Sequence, residues 1–177
     1  ADRRLVLTMP GLTWALEIHE SHFSIESKNI DPEKGTAKFL AKDPLTQTTI
    51  TAFIEKARKK GGALACRDYH WWQIRKTPFS VTDSQMYESG LMAVLEYSIP
   101  KVGTTAINLK NVNAYMAKDD HWIGVEIAQS LHSPGYLDAL RAVLEKITIN
   151  TEYVPTVLED LGSGSYFFLK KDYLKAA

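Results

Sequence analysis
Residues 106–128 constrain this chain most. Ile107 and Leu109 stand on one side of a pleat and Lys110 and Val112 on the other. After the polar tetrad Lys118-Asp119-Asp120-His121, Ile123, Val125 and Ile127 alternate against Trp122, Gly124 and Glu126. Period-2 patterning on both sides of a tight polar turn specifies two long antiparallel strands in a hairpin. A hairpin this long needs cover on its apolar face, so the rest of the chain must supply further strands or helices.

The flanking segments supply both. Trp14, Leu16 and Ile18 alternate with Ala15 and Glu17, Phe23 and Ile25 continue after Glu20-Ser21, and strands follow over 36–41 and 48–54. The turns between them carry Asp31-Pro32-Glu33-Lys34-Gly35 and Asp43-Pro44, where Pro presets one dihedral and Gly permits a positive one. Residues 13–54 therefore read as a meander. Residues 62–76 read as a helix, with Ala65, Tyr69 and Trp72 on one face and Pro78 ending it. Leu91 to Ile99 reads as a central strand and Pro100-Lys101-Val102-Gly103 as the turn after it. Ser133 and Pro134 start a second helix over 134–146, striped by Leu137, Leu140, Leu144 and Ile147. The expected class is α+β, a mainly antiparallel sheet in an α/β sandwich spanning 1–150.

Residues 151–177 differ in texture. Val154-Pro155 breaks the chain, and Gly164, Phe167, Tyr173 and Ala176 recur at the small and aromatic positions of a first tetratricopeptide helix. One such helix cannot bury its apolar face alone. The chain is therefore expected to be a fragment of a longer repeat protein, or else to dock a C-terminal amphipathic helix on its own domain.

Composition narrows the function. With 21 Lys+Arg against 21 Asp+Glu, the formal charge is zero, which argues against a general nucleic-acid binder. A single cysteine, Cys66, excludes an internal disulfide and a multi-cysteine zinc site. No stretch reaches the 18 apolar residues of a membrane span. The chain opens at Ala1 without Met, which fits either a removed signal peptide or a trimmed terminus; the first is favoured, and with it an extracytoplasmic (periplasmic or secreted) location is expected.

The Trp14–Ile18 strand, the His121–Ile127 strand with its polar turn, and the Ser133-Pro134 helix running into Lys146-Ile147-Thr148-Ile149 come in an order that resembles the PsbP-like α/β sandwich of the extrinsic P subunit of photosystem II and its bacterial relatives. That resemblance implies an assembly or interaction module without catalysis or cofactor, acting on a protein or peptide partner.

Several residues carry competing readings. Cys66 and His70 stand at i, i+4 on the first helix, about 6 Å apart at Cβ. They form either a reactive thiol–imidazole pair, with Arg67 lowering the thiol pKa, or a core cysteine beside a surface histidine. His19, His22 and Asp119-Asp120-His121 are either metal ligands or solvated turn residues. Trp71 and Trp72 point about 100° apart on a helix, so both cannot face one core. With Trp122 and His121 they form a candidate interaction surface, unless another segment covers them. Arg58-Lys59-Lys60 is either a solvated loop or an anionic contact, and Gly162-Ser163-Gly164-Ser165 is either a linker or an anion cradle. The Gly-x-Ser-x-Gly, His-Glu-x-x-His and dinucleotide patterns are absent.

Overall fold
Two antiparallel sheets and two helices make up residues 3–154, the part of the chain that the computed structural model describes. The larger sheet has seven strands: β3 (Ser24–Asp31), β4 (Thr36–Lys42), β5 (Thr48–Lys56), β6 (Thr82–Ser89), β7 (Met92–Val102), β8 (Thr105–Lys118) and β9 (His121–Gln129), in the order β3-β4-β5-β9-β8-β7-β6. The smaller joins β1 (Leu5–Leu7), β2 (Ala15–Ile18) and β10 (Ile147–Asn150), with β2 central. Helix α1 (Gly62–Arg75) links β5 to β6. Helix α2 (Leu137–Ala142) is extended at both ends by 3-10 turns, Pro134–Tyr136 and Val143–Lys146. The α+β class is as read from the sequence.

The β8–β9 hairpin forms as the alternation requires, with Lys118 opposite His121 and Lys110 opposite Gln129. Asp119 and Asp120 both have positive φ, 47° and 61°, the primed geometry that matches strand twist. One face of the large sheet presents Ile50, Ala52, Ile54, Val112, Ala114, Ile123, Val125 and Ile127 to the main core. The small sheet and α2 cover that face through Leu7, Leu16, Ile18, Leu140 and Leu144. On the other face, α1 covers Leu95, Tyr97, Tyr115 and Trp122. The layers are therefore helix, large sheet, then small sheet with α2.

Several expectations are corrected. Residues 13–54 are not one meander: β2 pairs with β1 and β10, and only β3, β4 and β5 run consecutively in the large sheet. A period-2 stretch names a strand but not its partner, and here the partners come from both ends of the domain. All four residues of β2 are buried, so both of its faces are covered. The strand before Gly103 continues through Pro100, where the β7–β8 register shifts and the missing N–H of proline costs no regular ladder bond. On α1 the inner face turns on Cys66, not on Trp72, which is 53% exposed. The tetratricopeptide-like positions and Gly162-Ser163-Gly164-Ser165 lie outside the described residues.

One polar cluster ties α2 to the sheet. Glu96 of β7 is fully buried on the face that α2 covers. It accepts two bonds from Arg141 (both 2.9 Å), one from Tyr87 Oη (2.6 Å) and one from Gln85 Nε2 (3.0 Å), with Lys110 Nζ at 3.9 Å. Burial opposes its charge, but these donors win and hold its carboxyl at about 2, below an ordinary 4.5. A depressed folded-state pKa means that the stabilisation is complete above 4.5 and drains away as pH falls towards 2. Arg141→Ala should cost about 2 kcal/mol at neutral pH. That is below the usual figure for breaking a buried pair, because the arginine is partly solvated. Urea melts across this acid window should show a flatter pH dependence in the variant.

Candidate functional site
The helix-side face of the large sheet gathers the chemistry-bearing residues. Entry to α1 passes Gly61 at φ 121°, where a Cβ would stand 2.8 Å from that of Ala65. The turn drops Cys66, Tyr69 and His70 onto β8 and β9. The imidazole of His70 stacks on Tyr115 (5.2 Å between centroids, 8° between planes) and lies 4.9 Å from the Phe53 ring. Its Nε2 meets Glu55 Oε1 at 3.2 Å. Burial works against the Glu55 charge, but the His70 hydrogen bond, then the charges of His70 and Arg58, hold its carboxyl below the ordinary range.

Cys66 sits beneath this arrangement, fully buried. Burial pushes its thiol far up, and the charges of Glu55 and Glu126 push it further. A protonated, inaccessible thiol is no nucleophile, and the imidazole beside it is engaged by Glu55. The helix spacing thus brings Cys66 and His70 to one face without making a reactive pair.

Beside α1 the sheet is open. A cleft of about 470 Å³ is walled by Phe53 and His70, with Thr51, Glu55 and Glu126 on its floor and Lys38 at its edge. Phe53 lies across Gly124, its partner on β9, and a Cβ there would overlap its ring. Glu126 sits directly opposite Thr51 on one side and Asn113 on the other. Burial raises its carboxyl pKa, with Lys38 and His70 pulling the other way and Glu55 adding to the rise.

The outer surface of α1 is aromatic and cationic. Trp72 carries Lys76 Nζ 3.0 Å above its ring, the Arg75 guanidinium lies 5.9 Å from Trp71, and that of Arg58 lies 5.0 Å from Tyr69. Trp71 is half-buried against Tyr97. Trp122 is fully buried under Tyr69 and belongs to the core, so it offers no contact surface. His121 is half-buried, its Nδ1 tied to the Asp119 carbonyl at 2.7 Å. His19 reaches Thr148 and Glu17, while His22 is placed near Asp43. Among the described residues, no group of three or more His, Cys, Asp or Glu could hold a metal ion.

Glu55, Asn113 and Glu126 were not singled out in the sequence. Alternation gave Glu126 its face, but the depth of that face depends on where α1 stops covering it.

This architecture defines an α+β sandwich of the PsbP-like fold. The chain superposes on the solution structure of cyanobacterial PsbP (CyanoP) from Synechocystis sp. PCC 6803 with a TM-score of 0.53, covering 84% of this chain and 94% of that one at 8% identity. Likeness at this identity speaks to fold alone. Neither a family model nor a curated protein sequence matches the chain.

Two expectations test the site. Native Cys66 should resist thiol reagents and label only as denaturant unfolds the protein; fast labelling without denaturant would contradict its burial. Gly124→Ala should destabilise the fold by about 1–3 kcal/mol, since Phe53 must leave its seat, and a urea melt reads this directly.

Proposed function
We propose that this chain is a non-catalytic protein-interaction or assembly domain that docks a protein or peptide partner on the outer face of α1. The observation that carries the reading is Trp72, half-exposed on a helix whose other side is locked onto the sheet, with Lys76 over its ring. An apolar ring of this size in water favours a partner that removes it from water, and tryptophan beside arginine is the composition of interface hot spots. Arg75 lies over the adjacent Trp71 and Arg58 over Tyr69, while Asp68 is the one carboxylate on the helix, so the partner segment should be acidic. The cyanobacterial PsbP fold supports the non-catalytic part as an analogy.

The finer parts of the proposal rest on sequence: a tetratricopeptide-like continuation after residue 150 and an extracytoplasmic setting. A thiol-dependent reaction at Cys66 and His70 finds no support in the geometry.

Chemical cross-linking in an extract of the source cells, with and without Trp72→Ala, tests the reading. Discrete adducts at α1 should form with the wild type and fall about tenfold in the variant. Its melting temperature should stay unchanged, because Trp72 contributes little to the core. Adducts that ignore the substitution would refute the assigned surface.

A further inference from the structure
One end of the large sheet carries apolar tips on separate loops. Leu45, in the β4–β5 turn, is 85% exposed, and Leu131, just after β9, is 75% exposed. With the half-exposed Tyr136 they rim a cleft of about 490 Å³ walled by Lys42, Thr49 and Gln129. The β7–β8 hairpin runs out beside them, since Leu131 N donates to Ile107 O at 2.8 Å, and its tip presents Lys101 and Val102, both exposed. The loops are firmly held. Asp43 accepts from Leu45 N at 2.9 Å and from Thr46 Oγ1 at 2.8 Å, Gln129 Nε2 donates to Thr46 O at 3.3 Å, and His132 N donates to Asn108 O at 3.0 Å. Leu131 has φ 53°, a left-handed conformation that suits Gly or Asn. A leucine there is unfavourable twice, through its backbone and through its apolar side chain in water. Such positions concentrate where a surface has work beyond the fold.

Charge on this rim has one sign. Lys42 and Lys101 make no side-chain hydrogen bond or ion pair among the described residues. The one carboxylate in these loops, Asp43, is buried in its own turn. Asp138, two residues beyond Tyr136 on α2, is the exposed carboxylate closest in sequence and does not line the cleft. A protein partner would call for a continuous apolar centre. Here the apolar tips are separated by a polar-walled gap. That spacing suits a bilayer interface, where apolar tips pass between headgroups and unpaired lysines meet lipid phosphates. We propose that this end of the sheet docks on the surface of an anionic phospholipid bilayer. Leu45 and Leu131 enter the boundary between headgroups and acyl chains, Tyr136 lies at headgroup level, and Lys42 and Lys101 face the phosphates. The contact is peripheral and reversible, and it spans nothing.

Flotation of the whole chain with two kinds of vesicle tests this, phosphatidylcholine alone and an equal mixture with phosphatidylglycerol. Binding is expected to the mixed vesicles, weaker to the neutral ones, and released by high salt as the lysine attraction is screened. Leu45→Ser combined with Leu131→Asn should weaken binding about tenfold or more. Lys42→Gln and Lys101→Gln should each weaken it about fivefold. The melting temperature of Leu131→Asn should hold or rise, because asparagine suits the left-handed backbone; a fall would show that the leucine serves the fold and would overturn its assignment to the bilayer. Trp72→Ala is the control and should leave flotation unchanged. A chain that floats with neither vesicle overturns the proposal and leaves a protein as the occupant of these tips. Equal flotation with both vesicles overturns it too, as does binding that survives the paired leucine substitutions. Loss of binding in Trp72→Ala alone would place the bilayer on α1 instead. These loops share no residue with the outer face of α1, so failure here leaves the Trp72 surface to its own test.

Discussion
Strands β7, β8 and β9 are buried on both faces, and the rest of the molecule follows from that demand. A sheet open to water on one side needs a single cover; these strands need two. The small sheet and α2 provide one, α1 the other. Neither cover is close in sequence to all that it protects: β1 and β2 precede the large sheet, β10 follows it, and α1 interrupts it. Register is correspondingly strict. A slip of one residue in β7 would carry Glu96 from Arg141 to the face under α1 and drive Leu95 and Tyr97 into the main core.

Polar groups inside the sheet reveal how the two covers differ. On the α2 side, Glu96 finds Arg141, Tyr87 and Gln85, so a buried carboxylate is fully served. On the α1 side, a helix of fourteen residues reaches over β7, β8 and β9, meets β5 through His70, and leaves β4 open. Glu55 is served by His70, whereas Glu126 has no hydrogen bond or ion pair among the described residues. The cleft is thus a consequence of one helix covering a seven-stranded sheet, and its chemistry follows from which strand residues lie past the helix edge.

Much of this was legible in the residues. The β8–β9 hairpin, α1 and the helical run from Pro134 to Lys146 each carry a pattern longer than chance supplies. What escaped has physical reasons. Strand β6, Thr-Asp-Ser-Gln-Met-Tyr-Glu-Ser, is almost wholly exposed at the sheet edge and has no alternation to betray it. Strand β1 is three residues long. The run Ile147-Thr148-Ile149 was visible as the end of the helix, but its pairing with β2 depends on contacts some 130 residues apart in the chain. At the site, i, i+4 spacing put Cys66 beside His70 correctly. It could not reveal that His70 turns to Glu55 on β5, because that contact exists only once the helix lies on the sheet.

The same packing explains why the exposed side of α1 can serve as a recognition surface. His70 is stacked on Tyr115, bonded to Glu55 and flanked by Phe53, while Cys66 fills the space beneath. These contacts fix the rotation of the helix about its own axis. With the inner face pinned, Trp72 and Lys76 have one direction left to point, outward. A surface ring already restrained by a cation above it loses less freedom on binding than a loose one, and that preorganisation is where interface affinity is gained. Buried aromatic packing and surface recognition are in this sense one arrangement: the tyrosine and histidine that face the sheet set the geometry of the tryptophan that faces the solvent.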